Sequence, residues 1–380
     1  MKLLIIIFHD IESLSSGIGK KILAQYNAFI NLNIDTSITY LATDKNNHFD
    51  RRMVNNTLLE KYKTKFGIHK RWQWRFRYKK LIEYIENNDI NTVYLRYTHF
   101  ANPFFINFLR KLKILGVFII MEIPTYPYDH EYHNIKPILK FALLIEHCCR
   151  QYFKNYVNLI VTFSNEKEIF GVRTIIIDNG IELNSTPMKK QYKKSNNDLH
   201  LIAVASMRFW HGYDRIIKGL KNYYHTNPKI KVFLHLVGNT EKIESKKYIK
   251  LVNEYQLNEY VIFHGFKKGK ELDELFDYSD IAIGCLGNHR KGITKIKSLK
   301  NREYCARGIP FTYSESDDSF DDQPFILKLP ADENPVNIFE IIKFYNSIDL
   351  DSKEIRKFAE EKLTWEKQLI KIIEKINTTN

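Results

Sequence analysis

Short unbroken apolar runs alternate with amphipathic stretches along this chain, and the alternation plays out twice. Leu3-Leu4-Ile5-Ile6-Ile7-Phe8 is continuous, the pattern of a strand covered on both faces. Further strands are expected at residues 92–96, 117–122, 159–163 and 174–177. Between them, apolar residues recur at helical spacing: Leu23, Tyr26, Phe29 and Ile30 after Gly17-Ile18-Gly19, then residues 72–86 and 138–153. The periodicity stops in a lysine-rich run, MKKQYKKSNND at residues 188–198, which reads as part of a linker. It then restarts, with strands expected at 201–205, 231–237, 261–263, 281–284 and 311–313, and a helical close over 352–376. Alternating strands and helices in both halves predict an α/β protein of two Rossmann-like parallel-sheet domains. In such sheets ligands sit beyond the C-terminal strand ends, so a central cleft faced by both domains is the expected site.

One stretch carries the chemistry furthest. Residues 297–311, KSLKNREYCARGIPF, read as a helix bearing Lys297, Lys300 and Glu303, stopped by Gly308 before a strand that Pro310 opens. Spaced at i, i+3 and i+6, the three share one helix face. A helix N-terminus with cations nearby suits a diphosphate. A carboxylate one turn on can accept two sugar hydroxyls, and together these suggest a nucleotide-sugar. The same residues also fit a solvated face, with Glu303 paired to Arg302 or Arg307.

Bulk properties narrow the choice. At 380 residues the chain exceeds one ordinary core, and 44% hydrophobic content excludes a disordered class. A net charge of +14 favours anionic partners: nucleic acid, acidic lipid or phosphate-bearing substrates. The four cysteines show no metal-ligand spacing and read as buried apolar residues of a reduced, cytoplasmic protein. His9, Asp10 and Glu12 cut the first apolar run too short for a signal peptide, so a buried first strand explains it better. No run approaches the ~18 apolar residues of a membrane span. No Asp-x-Asp pair stands at a strand end. Asp317-Asp318 and Asp321-Asp322 read as capping or solvent-facing groups, so no metal and no cofactor are expected.

An ordered series of short elements goes further. It comprises Ala205-Ser206-Met207-Arg208-Phe209-Trp210-His211-Gly212-Tyr213-Asp214, then Leu236-Val237-Gly238-Asn239, then Phe263-His264-Gly265-Phe266. Tyr278-Ser279-Asp280-Ile281 and Arg302-Glu303-Tyr304-Cys305-Ala306-Arg307-Gly308-Ile309-Pro310 complete it. No single element is specific, but the order and spacing resemble the donor domain of retaining glycosyltransferases of the GT-B fold, family-four type, used in bacterial polysaccharide assembly. In the first half, Ser16-Gly17-Ile18-Gly19 is similar to that family's acceptor-side glycine loop, and Asp178-Asn179-Gly180-Ile181 to its domain-closing turn. Leu363-Thr364-Trp365-Glu366 resembles the terminal helix that crosses back to the first domain.

The resemblance implies a partition into an acceptor-side domain (1–185), a linker (186–199), a nucleotide-sugar domain (200–350) and returning helices (351–380). It also implies that Arg208, Lys300 and Glu303 act in catalysis. Arg208 would grip the diphosphate with its planar fork, and Glu303 would accept the ribose hydroxyls. Gly17, Gly19, His211, Gly238 and Lys297 would complete the donor contacts. His211 stands where the family usually has a lysine; it is either a phosphate donor whose charge would depend on pH or a packed loop residue. Lys295 stands eight residues before Glu303, where the family often has a glutamate, a departure that fits a subgroup with another donor, the favoured reading, or a weakened, even inactive, transferase. Transfer would proceed with retention and without a protein nucleophile, the leaving diphosphate taking the acceptor's proton.

The acceptor-side candidates are Arg96, Glu122, Tyr126 and His130, which follow strand ends. Tyr126, Tyr128 and Tyr132 offer ring faces to a sugar, and the alternative is a structured loop of hydrogen-bonded core residues. The basic aromatic run at 69–80, HKRWQWRFRYKK, reads as a helix fit to lie on anionic lipid, which suits a lipid-linked acceptor on the inner face of a cytoplasmic membrane. An RNA-facing patch or an ordinary inward-packed helix fits the same run. The rival functions are a non-hydrolysing nucleotide-sugar epimerase and a basic nucleic-acid-binding protein. No RNA-recognition signature or helix-turn-helix favours the latter.

Overall fold

A computed structural model describes residues 1–11, 17–44, 49–63, 73–128, 137–190 and 197–378. The chain divides into two compact units: Met1–Asp178 with Trp365–Asn380, and Asn179–Thr364.

The first unit runs β1 (Lys2–Asp10), α1 (Gly17–Asn31), β2 (Asp35–Asp44), β3 (Phe49–Val54), β4 (Thr57–Lys63), α2 (Lys79–Asn87), β5 (Thr92–Arg96), α3 (Pro103–Ile114), β6 (Phe118–Ile123), α4 (Pro137–Arg150), α5 (Phe153–Tyr156), β7 (Leu159–Thr162), β8 (Glu168–Ile169) and β9 (Val172–Ile176). Among the described residues these strands form one sheet ordered β4-β3-β2-β1-β5-β6-β7-β9-β8. Its centre is parallel, as the continuous apolar runs require: Leu3 pairs with Thr92 and Ile6 with Leu95 across β1 and β5. The edges depart from the all-parallel expectation, since β3 and β4 add an antiparallel hairpin and β8 pairs antiparallel with β9. One face packs on α2, α3 and α5 through Leu81, Phe105, Leu109 and Phe153. The other packs on α1 through Ile22 and Phe29.

The second unit runs β10 (Asp198–Val204), α6 (Tyr213–Tyr224), β11 (Lys231–Val237), α7 (Ile243–Glu254), β12 (Val261–Gly265), α8 (Lys270–Tyr278), β13 (Ile281–Ile283), α9 (Leu299–Arg307), β14 (Phe311–Tyr313), β15 (Ile326–Lys328), α10 (Ile338–Ser347) and α11 (Ser352–Phe358). Its sheet, ordered β12-β11-β10-β13-β14-β15, is parallel throughout. α6, α7 and α10 cover one face and α8, α9 and α11 the other. The last helix, α12 (Trp365–Asn377), returns to the first unit and packs on α1, burying Trp365, Leu369, Ile372 and Ile376. By these contacts the first unit comprises Met1–Asp178 and the returning segment from Trp365, and the second unit Asn179–Thr364.

Three local expectations are corrected. The run at 69–80 is not one helix. Its first four residues lie outside the described set, Gln73–Arg75 form a 3-10 turn, and α2 starts only at Lys79. Trp74 faces inward, stacked on Phe8 at 4.9 Å and edge-on to Phe100 at 5.2 Å, because an indole stabilises more by burial than by solvation. Cys148 is exposed, while the other three cysteines are buried. Asp317 does not face solvent: it is fully buried and ion-paired to the equally buried Arg302. Among the described residues no helix is long and apolar enough to cross a membrane.

Candidate active site

In the second unit, the ends of β10, β11 and β13 and the start of α9 bring four of the expected residues together. Past Val204 the parallel ladder with β11 runs one bond further, Ala205 N donating to Val237 O at 2.9 Å. Gly238 follows directly on β11. A Cβ there would lie 1.8 Å from Ala205 O, so only glycine lets the two strand ends approach so closely. Arg208 lies exposed at the turn's outer edge, its guanidinium 5.9 Å from the Trp210 ring. Its backbone N–H donates to His211 Nδ1 at 2.9 Å, fixing the imidazole beneath it.

His211 is buried and stacks on Tyr213 with ring centroids 5.5 Å apart. Burial first, then the charges of Lys300 and Arg208, push its pKa down to about 2. The expected pH-dependent charge is therefore corrected: His211 is a neutral ring flanked by two cations. Gly212 adopts a left-handed φ of 67°, and a Cβ there would meet the Leu286 carbonyl carbon at 2.6 Å. That loop and the one after β13 thus interlock, sealed by Leu286 N donating to His211 O at 2.9 Å.

Lys300 lies in the first turn of α9, whose N-cap Ser298 makes no side-chain capping bond. Its ammonium reaches 4.0 Å from Cys285 Sγ and 5.9 Å from the Tyr213 ring. Burial lowers its pKa, while Cys285 and Glu303 oppose the shift. The Tyr213 hydroxyl beside it is buried and has no hydrogen-bond partner among the described residues. Glu303, one turn further and partly exposed, accepts from Arg307 Nε at 3.1 Å, so the pairing alternative is realised. Lys297 does not share this helix face. It precedes the N-cap, and its carbonyl accepts from Asn179 Nδ2 at 2.8 Å. Lys295 pairs with Asp318 at 2.6 Å.

Sequence reasoning missed the groups that hold this site in shape. Arg215, almost fully buried, donates to Leu286 O, to Ser314 Oγ at 3.3 Å, to Pro330 O at 3.0 Å and to Asn334 O at 2.9 Å, and pairs with Asp332 at 2.7 Å. A cation in the first turn of a helix reads as solvated, so nothing flagged it. Arg290 grips Asp214 through two bonds of 2.9 and 2.8 Å. Glu315 is buried, its pKa raised by desolvation, and accepts from Asn288 N at 2.6 Å. The glycines of Gly284-Cys285-Leu286-Gly287, straight after a strand, were the available signal for this loop.

In the first unit, Gly17 and Gly19 open α1 itself. Arg96 and Glu122, at the ends of β5 and β6, form a buried pair with Lys21 3.8 Å from the carboxylate. Gln25 and Tyr94 donate to the other oxygen at 2.8 and 2.6 Å. Burial opposes the Glu122 charge, but Arg96, Lys21 and these hydrogen bonds outweigh it and hold its pKa below the ordinary value. With both oxygens engaged and no exposure, Glu122 is an internal group of the unit. Tyr126 is half-buried, edge-on to Phe170 at 5.6 Å. Tyr128 offers no free ring face: it is buried and stacks on His99 at 3.6 Å. His130 and Tyr132 lie outside the described residues. Among those described, no group of His, Cys, Asp or Glu is arranged to hold a metal.

Residues 184–296 match the family described as glycosyl transferases group 1. No curated protein matches the chain. Among solved structures, a glycosyltransferase from Rickettsia africae is similar over 98% of this chain and 97% of its own, with 12% identity and a TM-score of 0.64. Sucrose-phosphate synthase from Thermosynechococcus elongatus covers 100% and 99%, with 13% identity and a TM-score of 0.63. Anabaena HepE in complex with UDP covers 100% of both chains, with 11% identity and a TM-score of 0.61.

Proposed function

We propose that this chain, whose fold is that of GT-B glycosyltransferases and whose residues 184–296 match the group 1 family, transfers one sugar, with retention, from a nucleotide-sugar to a growing cell-surface glycan or lipid-linked saccharide. The observation that carries this reading is the convergence of Arg208, Lys300 and neutral His211 at the strand ends, with Glu303 one turn along α9. Anabaena HepE, similar in fold, has been solved with UDP and with UDP-glucose, which supports a uridine diphosphate donor.

In the proposed reaction Arg208 and Lys300 bind the diphosphate and Glu303, oriented by Arg307, accepts the ribose hydroxyls. As the bond from the anomeric carbon to the diphosphate oxygen breaks, negative charge grows on that oxygen. The two cations stabilise it, and its more buried setting strengthens the effect of Lys300. The same oxygen takes the proton of the acceptor hydroxyl, which attacks from the departing face and so retains the configuration. His211 adds no charge but donates from its second nitrogen. The reaction needs no metal in this reading. The acceptor is assigned to the first unit, with Tyr126 as its contact and the protein lying on the inner face of a cytoplasmic membrane. The group 1 match leaves the epimerase and nucleic-acid alternatives without a supporting observation.

A thermal-shift screen across nucleoside diphosphates and their sugars tests the donor half. One nucleotide class should raise Tm, and Arg208→Ala and Glu303→Ala should each weaken its binding about tenfold or more. Undiminished binding by both variants removes the reading.

A further inference from the structure

α3 and α4 carry a second apolar stripe on the side away from their sheet. Their inner faces are satisfied: Phe105, Phe108 and Leu109 of α3 and Cys149 of α4 sit in the core. Outward, Phe104 and Ile114 on α3, Phe141 and Leu144 on α4, and Tyr152 just beyond are each more than half exposed. An ordinary surface helix has one apolar face, turned inward, so a second such stripe on two helices covering the same face of the sheet calls for a partner. The charge around it indicates which one. Arg110, Lys111, Lys113, Lys140 and Lys154 are all exposed on α3, α4 and α5. The same three helices contain one carboxylate, Glu146, which is buried and accepts from the Tyr97 and Tyr128 hydroxyls at 2.6 and 2.7 Å.

We infer that the outer faces of α3 and α4 dock the protein on an anionic phospholipid surface. Aromatic and aliphatic side chains would enter the headgroup boundary while a rim of cations, free of exposed carboxylates, meets the lipid phosphates. The inference deepens the lipid-linked acceptor reading and rests on it for its purpose. It also relocates the membrane contact from residues 69–80, whose Trp74 the structure buries.

The native chain carries its own reporter: Cys148 is exposed at the end of the α4 stripe while Cys149, Cys285 and Cys305 are buried. Labelled there with a polarity-sensitive fluorophore, the full chain is titrated with phosphatidylglycerol vesicles and, separately, with phosphatidylcholine vesicles, neither holding a saccharide acceptor. The expected result is a blue shift with the anionic vesicles alone, weakened by salt. Phe141→Asp/Leu144→Asp should reduce co-sedimentation about tenfold or more. Arg110→Glu/Lys111→Glu should also reduce it, with circular dichroism confirming that each variant is folded. Absence of wild-type binding, or equal binding by both folded variants, overturns the inference. A blue shift that follows protein concentration without vesicles also overturns it, and assigns the stripe to a second copy of the chain. Nucleoside diphosphate melting on the same variants should stay unchanged, which separates a failure of docking from a failure of the donor reading.

Discussion

Burial sets the charge state of His211, and that has a consequence for stability. Its folded pKa is about 2 against an ordinary value of 6.5. Above pH 6.5 the imidazole is neutral whether the chain is folded or not, and the folded state is not penalised. Below pH 6.5 the unfolded chain binds a proton that the folded one refuses, so stability falls with pH until the folded pKa is reached. By pH 5 the loss is about 2 kcal/mol for an ideal group of this kind. His235, lowered to about 4 by burial and then by His264 and His200, acts in the same direction. Urea midpoints at pH 7 and pH 5 should therefore differ, and His211→Asn should narrow the gap. Over pH 5 to 8, nucleotide affinity should show no step belonging to His211. Sequence alone could not show this, because the pattern placed a histidine in a loop and loops are normally solvated.

Elements differ in how well their residues announced them. β5, β11 and β14 fall where expected, since a strand covered on both faces is mostly apolar, with its few polar residues, such as Thr92, His235 and Thr312, buried among them. The β3–β4 hairpin, FDRRMV and TLLEKYK, sits at a sheet edge and interleaves charged with apolar residues, so it shows no apolar run; one of those charges, Arg52, is buried and donates to the carbonyls of Trp74 and Arg77. α9 was legible from Glu303, Gly308 and Pro310, but its start was not: Ser298 adopts an extended N-cap, which takes Lys297 off the helix. Gly238 was expected as a donor contact, and nothing in the sequence signalled its steric task. With Ala205 O in the way of any Cβ, Gly238→Ala must push β10 and β11 apart and displace the Arg208 turn between them. The expected cost is about 3 kcal/mol or more, read as a lower urea midpoint together with weakened nucleotide binding. Normal binding at normal stability would show that the turn is not set by this contact.

At the scale of the whole molecule, the repeated alternation of strands and helices was enough to reveal two sheets, but not which segment closes which core. α11 and the turn after it are polar outside, yet Ile355, Ala359 and Leu363 pack with Tyr304 and Cys305 in the second unit. Only at Trp365 does the chain change units, a switch that composition does not mark. α12 then supplies Trp365, Leu369, Ile372 and Ile376 to the core shared with α1. At about 2 kcal/mol for each buried side chain their loss removes about 8 kcal/mol, comparable with the whole stability of a typical domain. Residues 179–364 expressed alone should therefore fold cooperatively and keep nucleoside diphosphate binding. Residues 1–178 alone should expose α1, resist protease poorly and fold only when α12 is restored, by fusion or as a separate peptide. A protease-resistant 1–178 fragment with a sharp melting transition would contradict this, and would mean that α12 merely covers a core that is already complete.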